Sequence, residues 1–416
     1  MGKVIDRLFA ERIKDSRWNT SYPLDPKDWS GYRIEGALPF ESEKELSFYL
    51  HIPFCAQLCS FCEYTRMLCP NEVTQRHYLE TVRKDMLLFK SNHCDFVLRG
   101  FDIGGGTPTV LSEDNFNLLM TVYEEALDGL TLSDDFEPSI EGSFQTLTDA
   151  KLKRIVAVGI RRLSVGVQST CSGVLQHYHR AAKAVDDIQS LLDRAWIAGI
   201  QKVNLDFMYG LSGQTIETIQ RDLETISVLQ PQQITLYELR VNRLGGKSSF
   251  SKETLFNQYC AYYEGLTQLG YVARFSQNTF TKDRQDLGVS SYLRSRMLEG
   301  ASYKGFGLSA QSMCHAGVSY NIGKNQSLTH GHILRSSYPE GDSYLLPKRE
   351  WEAKYIAIAA YHGAFSLDRI DMSLLDRQEA LRFGLTHGYI FIDEHNRCTV
   401  TREGFIYYGA LFSLFY

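Results

Sequence analysis

The sequence predicts an α/β protein: a curved sheet of six parallel strands wrapped by helices, followed by a smaller, mostly helical module. Three observations carry this. Strand-like and helix-like segments alternate between Glu45 and Arg240, which calls for parallel strands joined by right-handed crossovers. Three of the strand-like segments are apolar on one face and small or polar on the other, which is the signature of a barrel with a polar lumen and not of a sheet buried on both sides. Beyond Asn242 the alternation stops.

The predicted strands are Leu46 to Ile52, Phe96 to Ile103, Pro138 to Ser143, Arg162 to Gln168, Val203 to Tyr209 and Gln233 to Arg240. In the fourth, Leu163, Val165 and Val167 alternate with Ser164, Gly166 and Gln168. In the fifth, Val203, Leu205 and Phe207 alternate with Asn204, Asp206 and Met208, and in the third Ser139, Glu141 and Ser143 share one face. Two intervening helices show apolar residues at 3–4 spacing: Ala181, Ala184, Ile188, Leu191 and Ala195, then Ile216, Ile219, Leu223, Ile226 and Leu229. Further on, Glu253 to Leu269 reads as helix, Tyr271 to Phe280 as strand, and Gly305 to Ala310 as a glycine-rich turn. From about Lys348 to Tyr416 the chain reads as helices with a hairpin at Tyr389 to Thr401, a winged-helix-like module. The expected units are an N-terminal extension over the barrel mouth (1–44), the barrel (45–245), a barrel extension on the substrate side (246–330) and the C-terminal module (331–416).

With 416 residues, 44% hydrophobic and 22% charged, the chain is ordinary globular material, neither disordered nor fibrous. A net charge of −5 speaks against a general nucleic-acid or membrane-surface binder. No apolar run reaches the length of a membrane span and the N-terminus lacks a signal peptide's apolar core, so a soluble, cytoplasmic, monomeric protein is expected. Nine cysteines make a poor disulfide framework. Cys55, Cys59 and Cys62 fall together just after the first strand, at the carboxyl end where barrels carry their chemistry. Cys69, Cys94, Cys171, Cys260, Cys314 and Cys398 are scattered. No second cysteine pair completes a zinc site. Three thiolates suit a 4Fe–4S cluster with one iron left open, since ordinary clusters take four cysteines. Zinc and plain thiols remain the alternatives at this point.

The segment Tyr49-Leu-His-Ile-Pro-Phe-Cys-Ala-Gln-Leu-Cys-Ser-Phe-Cys62 resembles the signature of radical S-adenosylmethionine (SAM) enzymes, and in particular of the oxygen-independent coproporphyrinogen III oxidase family with its two-SAM methylase relatives. The resemblance extends through Thr20 to Pro23, Gly104 to Thr109, Ser139 to Glu141, Arg162 to Gln168, His179-Arg180, Asn204 to Asp206, Tyr209 to Leu211 and Gly305 to Asn321. It implies a partial (β/α)6 barrel with a 4Fe–4S cluster on Cys55, Cys59 and Cys62, and SAM chelating the open iron. One-electron reduction would then yield methionine and a hydrogen-abstracting 5′-deoxyadenosyl radical, with flavodoxin or ferredoxin as the donor.

The same resemblance assigns SAM contacts. Tyr49 and Phe61 would flank the cluster, and His51 would shield it. Gly105, Gly106 and Thr107 would let backbone approach the SAM methionine group. Glu141 would accept two ribose hydroxyls, and Gln168, Arg180 and Asp206 would hold a second SAM, Arg180 suiting a carboxylate. Tyr49, Glu141, Gln168, Arg180 and Asp206 are therefore the expected catalytic set.

The chain also departs from that family. The oxidases carry a further cysteine where Tyr64 stands here, and Glu141-Gly-Ser-Phe-Gln looks more like the methylases than the usual Asp-Pro or Asn-Pro continuation. A small residue expected near the second SAM aligns with Arg240. Haem chaperones of the family begin almost at the cluster strand, unlike this chain. The expected function is thus one-carbon transfer to a tetrapyrrole or heteroaromatic, ahead of coproporphyrinogen decarboxylation and of haem delivery without turnover. His177, His179 and His315 would be candidate haem ligands in the last case, and Cys314 a candidate substrate-facing thiol.

Overall fold

The computed structural model describes residues 2–14, 26–93, 95–239, 250–322 and 328–416. The Thr20 to Pro23 motif, Cys94 and Arg240 lie outside the described residues. At its centre are the six expected strands: β1 (Glu45–Ile52), β2 (Val97–Gly105), β3 (Ser139–Gly142), β4 (Arg162–Gln168), β5 (Lys202–Tyr209) and β6 (Gln233–Glu238). They pair in chain order and every pairing is parallel. β6 does not return to β1, so the barrel is partial.

Crossover helices cover the outside: α2 (Glu72–Asn92), α3 (Glu113–Leu127), α4 (Asp149–Ala157), α5 (Val185–Ala198) and α6 (Ile216–Leu229). Local start signals place several of them. Asn71 and Thr148 accept backbone N–H groups of Thr74 and Lys151, and Thr215 with Thr218 forms a capping box. The apolar faces predicted for α5 and α6 are buried at Ile188, Leu191, Ala195, Ile219, Ile226 and Leu229. Ala181 and Ala184 precede the first turn of α5, and Ile216 is exposed.

Both edges of the barrel sheet are extended. β7 (Thr279–Thr281) adds antiparallel to β6. On the other side, β8 (Tyr303–Phe306) runs parallel to β1, and β9 (Gln311–Cys314), β10 (Gly317–Asn321) and β11 (Glu340–Leu345) continue as an antiparallel wing. The glycine-rich segment therefore begins as a strand, not as a turn. Gly305 sits where a Cβ would strike the Gln311 carbonyl, so glycine reports close strand packing there. The strand expected at Tyr271 to Phe280 shrinks to β7 and a bridge at Val272. Ser276 has φ +76, which breaks any ladder. The aromatic residues that suggested a strand serve packing instead: Phe275 lies 4.9 Å from Tyr263 and 5.6 Å from Phe405.

A short helix, α8 (Ser291–Met297), crosses the lumen at the amino-terminal end of the strands. It follows α7 (Lys252–Gln268), which packs outside on α6. A Cβ at Gly100 of β2 would collide with the Tyr292 backbone, so the floor helix lies directly on the sheet. Ser290 Oγ binds Asp102 at 2.6 Å and Ser47 Oγ meets Ser295 Oγ at 2.7 Å, which fastens it from inside.

The C-terminal module holds α9 (Lys348–Ala359), α10 (Leu375–Thr386) and a small antiparallel sheet of β12 (Ala364–Ser366), β13 (Ile390–Ile392) and β14 (Arg397–Val400). The expected hairpin is the β13–β14 pair. The N-terminal helix Gly2–Lys14 packs on this module, with Phe9 buried 5.0 Å from Phe383 and 5.6 Å from Tyr407.

Candidate active site

The polar face of every barrel strand points into the lumen, and its polar groups stack in layers. At the base, Arg162 donates to Gln233 Oε1 at 2.8 Å and to Ser139 Oγ at 2.9 Å. Above it, Asn204 donates to Ser164 Oγ at 2.9 Å and Asp206 Oδ1 at 2.7 Å, and accepts from Thr235 at 2.9 Å. These satisfied bonds are what make a polar lumen affordable. Burial pushes the Asp206 carboxyl up to about 6 against the opposing pull of Asn204 and Arg162.

Toward the carboxyl ends of the strands the network loosens. Glu141 projects into the lumen, where its side chain is open to solvent yet walled by protein. Desolvation first, and then the nearby Asp206 carboxyl, push its carboxyl up to about 7. It accepts the Gly105 N–H at 3.1 Å and has further lone pairs to offer. Gln168 ends β4 at φ +65 with Oε1 buried and lacking a donor among the described residues. Beside it, Arg180 donates to the Gly166 carbonyl and to Cys59 Sγ at 3.5 Å, with no carboxylate in ion-pair range among the described residues. The structure thus brings Glu141, Gln168, Arg180 and Asp206 to one wall of the mouth.

The cysteine loop lies over that mouth. Cys55 is buried, whereas Cys59 and Cys62 are half-buried. Burial and then the Cys62 sulfur push the Cys55 thiol up to about 12, and burial also raises Cys62. Cys55 is held by the Cys69 N–H to its carbonyl at 2.9 Å, Cys62 by its own N–H to the Cys59 carbonyl at 3.3 Å. Gly106 and Thr107 donate their N–H groups to the Ile52 and Phe54 carbonyls, both at 2.7 Å, so the glycine turn and the cysteine strand form one cradle. A Cβ at Gly105, which has φ +115, would lie 2.5 Å from the His51 ring, and one at Gly106 2.5 Å from the Phe54 carbonyl. Only glycine fits either place.

His51 bonds the Thr65 carbonyl through Nε2 at 2.9 Å, which makes Nδ1 the acceptor for the Tyr49 hydroxyl at 3.3 Å. Burial lowers its pKa to about 4, so it is neutral. Tyr49 stacks on Tyr292 of the floor helix at 5.6 Å. Phe61 packs against an apolar cluster of Val174, Tyr178, Met208 and Leu211.

The donor chemistry fits an iron–sulfur cluster better than a single ion. Tetrahedral zinc with about 2.3 Å Zn–S bonds needs sulfurs about 3.8 Å apart. Among the described residues, a group of three donors within 4.8 Å of one another is formed by Glu43, Cys314 and His315. Three cysteines gathered on one loop are a donor set that suits a cluster with one iron left open.

That other triad lies elsewhere. Cys314 ends β9, which runs antiparallel to β8, so it sits beside Glu43 at the base of the barrel. Cys314 and His315 therefore do not face the mouth: His315 is tied to Glu43 at 2.6 Å, and Cys314 is fully buried. His177 and His179 lie nearer the mouth, where Gln57 of the cysteine loop donates to the His179 carbonyl.

Several mouth and lumen residues fall outside every motif. Arg66 donates to the Cys59 carbonyl and to the Tyr64 carbonyl at 3.2 Å, placing a cation beside the thiols. Tyr64, Tyr237 and Tyr361 share the lumen with Glu141. Arg296 rises from α8.

Comparison with known proteins agrees with this layout. Residues 49–226 match the family described as the radical SAM superfamily. The chain is 30% identical over 200 residues to the heme chaperone HemW of Haemophilus influenzae, covering 47% of this chain and 51% of that one. It is 29% identical over 221 residues to the oxygen-independent coproporphyrinogen III oxidase of Salmonella typhimurium, covering 52% and 48%. The chain thus spans about half the length of the curated relatives it matches. The solved coproporphyrinogen III oxidase HemN from Escherichia coli superposes over 96% of this chain and 97% of its own, with TM-score 0.76 and 22% identity. The fold is therefore shared end to end.

Proposed function

The chain carries a radical SAM domain, and on that premise we propose that it is an enzyme that binds two SAM molecules and transfers a one-carbon unit to a tetrapyrrole. The relatives' printed names, a heme chaperone and a coproporphyrinogen oxidase, suggest the tetrapyrrole class. When bound, the cluster and SAM supply reductive cleavage of SAM, hydrogen abstraction from an unactivated C–H bond and a one-carbon unit.

The chain's own residues bind, orient and exclude water. Cys55, Cys59 and Cys62 hold the cluster, with Arg66 and Arg180 offsetting thiolate charge. The Gly105 to Thr107 edge admits the first SAM, Tyr49 walls it, and Glu141 accepts its ribose hydroxyls. Gln168, Arg180 and Asp206 receive the second. The observation that supports a second site is specific: among the described residues, Gln168 Oε1 is buried without a donor beside Arg180, which has no carboxylate partner. Groups left unsatisfied at a mouth cost stability unless a ligand completes them. Flavodoxin or ferredoxin is the proposed electron donor.

Decarboxylation of a porphyrinogen is the second reading, favoured by the full-length superposition on HemN. Product analysis separates the two. A reconstituted anaerobic reaction with haem or coproporphyrinogen as substrate should release S-adenosylhomocysteine alongside 5′-deoxyadenosine. Carbon dioxide from coproporphyrinogen with no S-adenosylhomocysteine would replace one-carbon transfer with decarboxylation. Tight haem binding with no SAM cleavage would make the protein a chaperone.

A further inference from the structure

Arg296 is the fourth residue after Tyr292 on the floor helix, so the two side chains share one face and rise together into the lumen. The guanidinium lies 5.0 Å from the Tyr303 ring centroid and 5.9 Å from that of Tyr292. Nη2 donates to Gln311 Oε1 at 3.2 Å, and Gln311 is itself fixed by Tyr303 and Tyr320. Nε is buried with no acceptor among the described residues. The neighbouring lumen groups are phenols: Tyr49, Tyr64, Tyr292 and Tyr303.

Among the described residues no carboxylate comes within ion-pair distance of Arg296. Two other arginines show the contrast, since Arg294 of the same helix pairs with Asp135, and Arg99 of β2 bridges Glu45, Asp135 and Glu299. A guanidinium enclosed by aromatic rings and lacking an anion carries an uncompensated desolvation cost. It is also the geometry that recognises a carboxylate next to a flat ring system, because Arg can pair its planar fork with the anion while the aromatic walls stack the ring.

We propose that Arg296, with Tyr64 near it, forms a subsite at the bottom of the lumen for a carboxylate of an aromatic substrate. This rests on the tetrapyrrole reading above and adds orientation to it: one carboxylate edge points down to α8, and the reacting carbon is held toward the cysteine loop. Arg296 is a specificity-determining residue in this arrangement and takes no part in SAM cleavage.

The test uses the full-length reconstituted protein and two probes, iron protoporphyrin IX and its dimethyl ester, titrated anaerobically by absorbance. Arg296→Gln should weaken the diacid by about tenfold or more and the diester less than twofold, and Arg296→Lys should recover part of the loss. Far-UV circular dichroism and the melting temperature identify a variant that has lost its fold, in which case Arg296→Lys alone decides between the outcomes. Equal losses for both probes, or no loss for either, would overturn the subsite while leaving the tetrapyrrole reading standing. A wild-type protein that binds neither probe would overturn both.

Discussion

Replacing Gly105 with alanine tests how tightly the cysteine loop depends on its glycine cradle. Two costs arise. At φ +115 any side chain is strained by about 1–3 kcal/mol. The new Cβ would also stand 2.5 Å from the His51 ring, so the ring must move by nearly an ångström to restore van der Waals contact. Moving it breaks the bonds to the Thr65 carbonyl and the Tyr49 hydroxyl, at about 1 kcal/mol each. The total is about 3–5 kcal/mol, against a whole-domain stability of about 5–15 kcal/mol. Gly129 supplies the control: it has φ +71 and nothing within 4 Å of its Cβ position, so Gly129→Ala bears backbone strain alone. Urea unfolding of the reduced, cluster-free protein should place Gly105→Ala at least about 2 kcal/mol below Gly129→Ala. Cluster reconstitution, followed by its visible absorbance, should fall for Gly105→Ala only. Equal destabilisation of the two variants, with normal reconstitution in both, would refute the cradle.

Other consequences concern the lumen and the C-terminal module. Burial pushes the Asp102 carboxyl up to about 7, whereas in the unfolded chain it titrates near 4 (about 3.9). The folded state therefore holds a proton that the unfolded state releases. That contribution is complete below about pH 4 and is lost as pH rises through about 7, with a slope of at most about 1.4 kcal/mol per pH unit. Asp102→Asn should flatten the pH dependence of stability between pH 5 and 8, measured by urea melts, and an unchanged slope would contradict the shift. Arg377 is fully buried against Glu352 and also donates to the Phe415 carbonyl at 3.0 Å. Arg377→Met should cost about 3–5 kcal/mol by stranding the glutamate, and adding Glu352→Leu should recover most of it in a double-mutant cycle. Asp222 accepts from Ser169 Oγ at 3.1 Å, from the Thr170 N–H and hydroxyl at 2.6 Å, and from Tyr262 at 2.6 Å. Asp222→Ala should cost on the order of 3–5 kcal/mol and weaken SAM binding by calorimetry, since Ser169 and Thr170 continue directly from Gln168.

The barrel was readable in the sequence because a half-polar parallel strand is an unusual pattern. Branched apolar residues on one face of β4 and β5, with Ser164, Asn204 and Asp206 on the other, leave few alternatives to a polar lumen. The mouth was readable because close approach of backbone needs glycine, and because three cysteines gathered in one loop are conspicuous. Where chemistry comes from residues far apart, the signal is lost. Arg296 and Tyr49 are brought together by a floor helix of only seven residues, Ser291–Met297, too short to show a period. Arg66 lies just past the last cysteine of the motif and gains its place from a loop fold that no local pattern encodes. Cys314 and His315 adjoin a glycine-rich motif in sequence, yet the antiparallel turn of β9 carries them to the opposite end of the barrel. Around Tyr271 to Phe280 aromatic residues imitated a strand while packing on α7 and the C-terminal module.

The most direct measurement of the central claim is SAM cleavage by the anaerobically reconstituted protein with dithionite, read as 5′-deoxyadenosine by mass spectrometry against a Cys55→Ala control. The wild type should form 5′-deoxyadenosine well above the control, and the reconstituted sample should show a 4Fe–4S spectrum that changes when SAM is added. A wild type that carries the cluster but makes no more 5′-deoxyadenosine than Cys55→Ala would contradict radical chemistry at this mouth.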